Sequence, residues 1–187
     1  MMYKIKSVAV YCGSAQCVNP LYHEAAALFG QILAKEKIKV IYGGGGFGLM
    51  GTLANECLNH GGHVVGISTD YLFPLEGLRE GQPKLSELLK VNHMHERKKL
   101  MFERSDAFVI LPGGLGTLDE AFEVLTWRQL GLHIKPIIFL NTLNYWKPLL
   151  DHLFSHMIAQ GFVHNADRHL FQICDHPVDV LKTLLHT

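Results

Sequence analysis

The chain has 187 residues, a length that suits one domain around one sizeable core. Apolar residues make up 48% of the sequence and charged residues 18%, which excludes an intrinsically disordered chain. Lys and Arg together number 17, as do Asp and Glu, so no net charge draws the protein to nucleic acid or to a membrane surface. Any phosphate that the protein binds must therefore be held by local geometry.

The cysteines and the N-terminal segment indicate the compartment. Cys12, Cys17, Cys57 and Cys174 have neither the CxxC spacing of a zinc site nor the density of a disulfide framework. The apolar N-terminal stretch is too short for a secretory signal, and no run approaches the ~18 apolar residues of a membrane span. We expect a cytoplasmic protein with reduced thiols and no membrane partner.

Short apolar runs alternate with longer amphipathic runs along the whole chain, and each pattern predicts one element. After the third strand we expect a long loop that contains Pro74 and Pro83. The predicted strands are 8–14, 39–44, 63–69, 107–114, 135–141 and 169–177, and the predicted helices are 19–37, 48–62, 94–104, 117–130, 145–160 and 178–187.

The strands are continuous apolar runs, which indicates that both faces of their sheet are covered. With helices as crossover connections, the pattern predicts an α/β fold with a Rossmann-like, doubly wound parallel sheet and helices on both faces. No linker or repeat interrupts it, so residues 1–187 are expected to form a single domain. Ligands of such sheets bind at the carboxyl ends of the strands, where the glycine-rich stretches 13–14, 43–48 and 113–116 fall.

The first long glycine loop, "IYGGGGFGLMG" at 41–51, follows a strand, opens a helix and contains GxGxxG twice. Free N–H groups at a helix start favour an anion, and we interpret the loop as close to a phosphate. One alternative is a turn that packs a helix tightly against the sheet. Another is an NAD-binding oxidoreductase with Asp70 on the ribose. The chain has no GK[ST] sequence, which disfavours a P-loop NTPase.

The second glycine corner is "LPGGLGTLDE" at 111–120. Thr117 and Glu120 have the spacing of a capping box, in which Glu120 would bond to the backbone N–H of Thr117. That alternative does not account for Gly113 and Gly114. We favour a second ligand-binding corner, with a carboxylate that faces the anomeric carbon of a sugar.

A basic segment, "VNHMHERKKLMFERSDAF" at 91–108, precedes the strand that ends in this corner. Arg97 stands out because a guanidinium recognises phosphate or carboxylate with two hydrogen bonds. His93 and His95 do not share a helix face, and no third ligand has a suitable spacing, so we expect no metal site.

Four motifs in order resemble the LONELY GUY family of cytokinin-activating phosphoribohydrolases, whose members also carry an older lysine decarboxylase label. They are "GGGGFGLMG" at 43–51, "MHERK" at 94–98, "PGGLGTLDE" at 112–120 and "TWRQLGLHIKP" at 126–136. The resemblance extends from about residue 8 to residue 163. The lysine decarboxylase label has no chemical basis here, because no lysine has a recognisable pyridoxal-phosphate setting.

The resemblance implies a Rossmann-like homodimer without a cofactor that hydrolyses the N-glycosidic bond of a nucleoside 5′-monophosphate to free base and ribose 5-phosphate. Arg97 and Glu120 match the family's essential pair. The family often has Glu at position 119 and Tyr at position 115, so the choice between a prenylated adenine and plain AMP stays open. The expected substrate-binding residues are Ser14, Gly44, Gly45, Gly48, Glu76, Arg97, Lys98, Gly113, Gly114, Gly116, Thr117, Asp119 and Thr126.

Glu120 is expected to stabilise positive charge at C1′ and to orient or deprotonate water. Arg97 would either clamp the phosphate or ribose, or pair with Glu120 and keep it ionised. Two rival functions remain: a non-catalytic nucleotide or molybdopterin carrier with the same fold, and the NAD(P)-binding oxidoreductase.

Overall fold

The computed structural model describes residues 4–72 and 84–186. Seven strands and six α-helices lie in these two ranges, and they alternate except that β4 is the next described element after β3. The strands are β1 Ser7–Tyr11, β2 Lys39–Tyr42, β3 Val64–Thr69, β4 Glu87–Val91, β5 Ala107–Ile110, β6 Ile137–Leu140 and β7 Gln172–Cys174. The helices are α1 Pro20–Lys35, α2 Gly48–Asn59, α3 Met94–Glu103, α4 Leu115–Gln129, α5 Lys147–Ala159 and α6 Pro177–Leu185.

The strands form one sheet in the order β4-β3-β2-β1-β5-β6-β7, and every pair of neighbours is parallel. From β1 the chain proceeds towards one edge of the sheet, and from β5 it proceeds towards the other. The connections that leave β1 and β5 therefore diverge, which opens a crevice at the carboxyl ends of these two strands. The predicted doubly wound parallel sheet is confirmed.

Helices cover both faces of the sheet, as predicted. Val8, Val10 and Val40 point to one face and pack with residues of α1, α2 and α6. Ala9, Tyr11 and their neighbours point to the other face and pack with residues of α3, α4 and α5. Successive strand residues alternate between two apolar cores, which explains why the strands read as continuous apolar runs. Within the described ranges, no helix has both the length and the apolar character needed to cross a bilayer.

Strand β4 was not predicted: the sequence indicated no strand between the third predicted strand and the helix at 94–104. Its sequence, "ELLKV", alternates half-buried and exposed positions instead of forming an apolar run. β4 lies at the edge of the sheet and pairs only with β3 among the described strands, with Thr69 beside Val91. An edge strand tolerates charged and exposed side chains, so the hydrophobic pattern that marks the central strands is weak here.

Candidate active site

A cleft of about 370 Å³ lies at the carboxyl ends of β1 and β5. Backbone hydrogen bonds join the loops around it: Gly13 N–H donates to the carbonyl of Pro112, and Leu49 N–H donates to the carbonyl of Gly13. The sheet thus brings together residues that are far apart in sequence. The predicted site residues that line the cleft are Ser14, Arg97, Gly114, Gly116, Thr117, Asp119 and Glu120.

Arg97 and Glu120 form an ion pair at the base of this cleft. Arg97 Nη1 donates to Glu120 Oε1 over 2.8 Å, and Arg97 Nε donates to the carbonyl of Ile67 over 2.9 Å. Only 6% of the Arg97 side chain and 12% of the Glu120 side chain are exposed. Of the roles considered for Arg97, the structure shows the pairing with Glu120.

The electrostatic setting of Glu120 is a balance of burial and pairing. Burial raises the pKa of Glu120, and the charge and hydrogen bond of Arg97 oppose this, with the net result that the pKa lies above its ordinary value. Cys12 also lines the cleft, but burial and then the charge of Glu120 raise the pKa of its thiol. Cys12 is therefore protonated and is not a candidate nucleophile.

Helix α4 begins two residues earlier than predicted, at Leu115, with Gly114 as its N-cap and no side-chain hydrogen bond at the cap. The capping-box alternative is therefore wrong: Glu120 pairs with Arg97, not with the backbone of Thr117. The first-turn N–H groups of α4 have no carbonyl partner within the helix, and the helix dipole adds partial positive charge at this end. The corner is suited to an anion.

Gly114 and Gly116 differ from glycines that packing requires. A Cβ added at either position would meet no other part of the described chain within 4 Å, and neither residue has a positive φ. Internal packing therefore does not explain why these two positions lack side chains. A ligand that approaches the backbone would explain it.

Lys98 lies beside the cleft and is held by two carboxylates of α4. Its ammonium group pairs with Glu123 and lies 3.2 Å from Asp119 Oδ2. Burial alone would lower the pKa of Lys98, but the hydrogen bonds to Glu123 and Asp119 outweigh it and raise the pKa. Lys98 is therefore a charged, positioned cation next to the Arg97–Glu120 pair.

The first glycine loop, which the sequence suggested lies close to a phosphate, is tightly packed inside the protein. Residues 43–46 are buried, and a Cβ at Gly43 would collide with Arg97 Nη2. A Cβ at Gly44 would press on Ser68, and one at Gly48 would collide with the backbone of Ser14 and Ala15. Gly44, Gly45 and Gly48 are not among the described residues that line the cleft. The loop therefore supports the site from the interior of the protein, because its glycines leave space for Arg97 and for the β1–α1 connection.

This packing predicts different costs for two glycines that share a positive φ. Gly48 has φ of 55° and would bring a Cβ against the backbone of Ser14, whereas Gly61 has φ of 75° and open space around it. Gly61→Ala should cost about 1–2 kcal/mol of unfolding free energy through its backbone conformation alone. Gly48→Ala should cost at least roughly 2 kcal/mol more, because backbone cannot yield as a side chain does. Urea denaturation measures both, and equal losses would contradict the packing role.

Of the other three predicted positions, two lie away from the cleft and one lies outside the described residues. Thr126 is exposed on α4, where its hydroxyl donates to the carbonyl of Phe122, and it lines a neighbouring depression with Lys98 and Asp119. Gly113 lies behind the corner, against Thr117 and Gly13. Glu76 lies outside the described residues.

Much of the motif at 126–136 stabilises the connection from α4 to β6. His133 Nδ1 accepts from the N–H of Lys135, so the ring is neutral and its Nε2–H donates to the carbonyl of Val124. Lys135 Nζ donates to the carbonyl of Phe102 and lies 4.0 Å from the centre of its ring. These contacts join α3 to α4 and so support the pairing of Arg97 with Glu120.

Most of the apolar part of the cleft was not predicted from the sequence, which pointed only to position 115. Met50, Leu72, Met94 and Leu115 line it, and all but Leu72 fall inside motifs that were chosen for their glycines and charges. Asp70, the ribose candidate of the oxidoreductase alternative, is exposed and is not among the cleft-lining residues. In the described part of the chain, no three His, Cys, Asp or Glu side chains are grouped to hold a metal ion.

Comparison with known proteins agrees with the motifs. A family model described as "Possible lysine decarboxylase" matches residues 50–184. A cytokinin riboside 5′-monophosphate phosphoribohydrolase of Rhodococcoides fascians is 44% identical over 170 residues, which cover 90% of this chain and 84% of that protein. Another from Arabidopsis thaliana is 38% identical over 181 residues, covering 97% and 83%.

Among solved structures, the molybdenum cofactor carrier protein of Chlamydomonas reinhardtii superposes with a TM-score of 0.71 over 99% of this chain and 100% of that chain. Its sequence identity is 18%, so this likeness concerns the fold. The motifs, the paired Arg97 and Glu120 and the identity to the curated relatives lead to one conclusion. The chain belongs to the LONELY GUY family of cytokinin riboside 5′-monophosphate phosphoribohydrolases.

Proposed function

We propose that this protein hydrolyses the N-glycosidic bond of a purine nucleoside 5′-monophosphate, releasing the free base and ribose 5-phosphate. The purine is adenine or an N6-modified, cytokinin-type adenine. In the reaction the C1′–N bond breaks with its electron pair on the base, water supplies hydroxide to C1′, and the remaining proton goes to the base. Residues 1–187 act as one nucleotide-binding domain without a cofactor.

One observation carries this proposal: a nearly buried carboxylate, Glu120, lies one turn along the helix whose free N–H groups open onto the same cleft. Cleavage develops positive charge at C1′, and a fixed carboxylate in a site of low dielectric stabilises that charge more than water would. The same carboxylate can orient the attacking water or accept its proton. The charge and hydrogen bond of Arg97 lower the pKa of Glu120 and so favour its ionised form against the opposing effect of burial.

We place the 5′-phosphate at the start of α4. The N–H groups of the first turn and the open space above Gly114 and Gly116 suit an anion there. Glu120 follows Gly116 by four residues, so the ribose that joins phosphate to base would lie over it. The apolar side chains of Met50, Leu72 and Met94 then offer surface to a purine ring.

Product analysis tests the activity. We expect incubation with AMP and with isopentenyladenosine monophosphate to release ribose 5-phosphate from at least one of them, in amounts equal to the free base. Stoichiometric nucleotide binding without product would instead favour the carrier. A melting-temperature shift with NAD(P) but not with AMP would favour the oxidoreductase.

We also propose that the working form is a homodimer. Large apolar side chains are exposed on α4 and just after it, among them Leu115, Leu130, Leu132 and Ile134, the last with 90% of its surface accessible. Leu130, Leu132 and Ile134 lie within five residues of one another, and exposed apolar side chains that lie together, unlike single ones, mark association surfaces. Sedimentation velocity at micromolar concentration should return twice the 21.0 kDa chain mass, and a single 21.0 kDa species would contradict the proposal.

A further inference from the structure

Tyr145, in the connection between β6 and α5, reaches across to the second glycine corner. Its hydroxyl donates to the carbonyl of Gly113 over 2.8 Å. Gly13, Pro112, Gly113 and Tyr145 are among the residues that line a small neighbouring pocket. Tyr145 is not among the residues that line the cleft of Arg97 and Glu120, so its contact reaches the corner from behind.

This contact determines where the next peptide N–H points. The peptide bond between Gly113 and Gly114 is trans, and in a planar trans peptide the C=O and N–H bonds point in opposite directions. Since the carbonyl of Gly113 points to Tyr145, the N–H of Gly114 points away from Tyr145, and Gly114 itself lines the cleft. A peptide between two glycines otherwise rotates with little steric resistance.

Contacts of Tyr145 and of the residues next to it restrict the position of the Tyr145 side chain. The side chain of buried Asn141 accepts hydrogen bonds from the N–H groups of Trp146 and Lys147, and it donates to Asp175 Oδ1. The ring of Tyr145 lies edge-on to the rings of Tyr22 and Trp146, with centroids 5.7 and 4.8 Å away.

The turn just before Tyr145 is also conformationally constrained. Leu143 and Asn144 both adopt a left-handed conformation, with φ of 55° and 57°. Such a conformation persists in residues other than glycine only where the surroundings determine it. Here those surroundings include the hydrogen bond between Asn141 Nδ2 and Asn144 Oδ1.

We propose that Tyr145 is a positioning residue that sets the Gly113–Gly114 peptide so that the Gly114 N–H joins the phosphate-binding N–H groups of α4. This inference rests on the proposed function, which places a phosphate at that corner. Tyr145 does not touch the reacting atoms. Its loss should therefore weaken phosphate binding and leave the chemical step almost unchanged.

The test compares Tyr145→Phe with Tyr22→Phe. Both remove one hydroxyl from the same pair of rings, but only Tyr145 bonds to Gly113. For Tyr145→Phe we expect KM for AMP and the inhibition constant of ribose 5-phosphate to rise together by roughly fivefold, the effect of one lost hydrogen bond. We expect kcat to change by less than about twofold, and Tyr22→Phe to behave as the wild type.

A fall in kcat at constant KM, or equal effects of the two variants, would overturn the assignment. If the wild-type protein releases no ribose 5-phosphate, the proposed function fails, but Tyr145 can still be tested. Calorimetry with inorganic phosphate then decides: weaker binding by Tyr145→Phe supports the positioning role. Equal binding, or no binding by the wild type, refutes it.

Discussion

Replacing Glu120 with Gln is expected to lower kcat by about 100-fold or more while nucleotide affinity stays within a few-fold of wild type. Glutamine keeps the shape of the side chain, and its carbonyl oxygen can still accept from Arg97 Nη1. It cannot carry the negative charge that meets C1′ in the transition state. The loss should therefore fall on kcat, measured by release of ribose 5-phosphate, and not on KM.

Glu123→Gln is the matched control, since Glu123 lies one turn further along α4 and pairs with Lys98 instead of Arg97. It should lose much less activity than Glu120→Gln. An active Glu120→Gln protein, or equal losses in the two variants, would remove Glu120 from the mechanism.

The same carboxylate predicts the pH dependence of wild-type activity. Burial raises the pKa of Glu120 in the folded protein, so the catalytically required ionised form is lost as pH falls through that raised pKa. The rate should decline on the acid side at a higher pH than for an ordinary glutamate. The effect of pH on the free energy of unfolding runs the other way. Because the pKa of Glu120 is higher in the folded protein than in the unfolded chain, its contribution to stability is fully present below the unfolded pKa. That contribution is lost as the pH rises through the folded pKa.

Replacing Arg97 with Ala should be the second large effect, with kcat/KM lower by roughly 1,000-fold and KM also raised. The change removes the charge that opposes the burial of Glu120, so the pKa of Glu120 should rise further. The acid side of the pH–rate profile should shift to higher pH, and part of the activity should return in alkaline buffer. An unchanged profile would show that Arg97 does not keep Glu120 ionised.

Two further variants separate the role of Arg97 from simple loss of folding. Arg97→Lys keeps a positive charge near Glu120 but cannot also reproduce the bond from Nε to the carbonyl of Ile67. It should retain the wild-type pH profile better than Arg97→Ala. Lys99→Ala removes an exposed cation that pairs only loosely with Glu103, so its unfolding free energy should stay within about 0.5 kcal/mol of wild type.

The fold could be predicted from local sequence patterns because its central strands are buried on both faces of the sheet. Residues such as Val8, Ala9 and Val10 alternate between two cores, and only a continuous apolar run satisfies both. Strand β4 was not predicted because an edge strand is partly exposed, so its residues need not be apolar. Helix α4 begins earlier than predicted because its N-cap is a glycine, Gly114, and no side-chain cap marks its start in the sequence.

The sequence by itself determined the doubly wound sheet, the family and the two residues, Arg97 and Glu120, on which the proposed chemistry rests. It could not decide what each glycine does, since the same residue type serves both internal packing and a ligand. Only the tertiary structure separated buried Gly43, which makes room for Arg97, from open Gly114, which leaves room above the cleft. It also brought Tyr145 to Gly113, a contact between residues 32 apart in sequence that depends on strand order and no local pattern encodes.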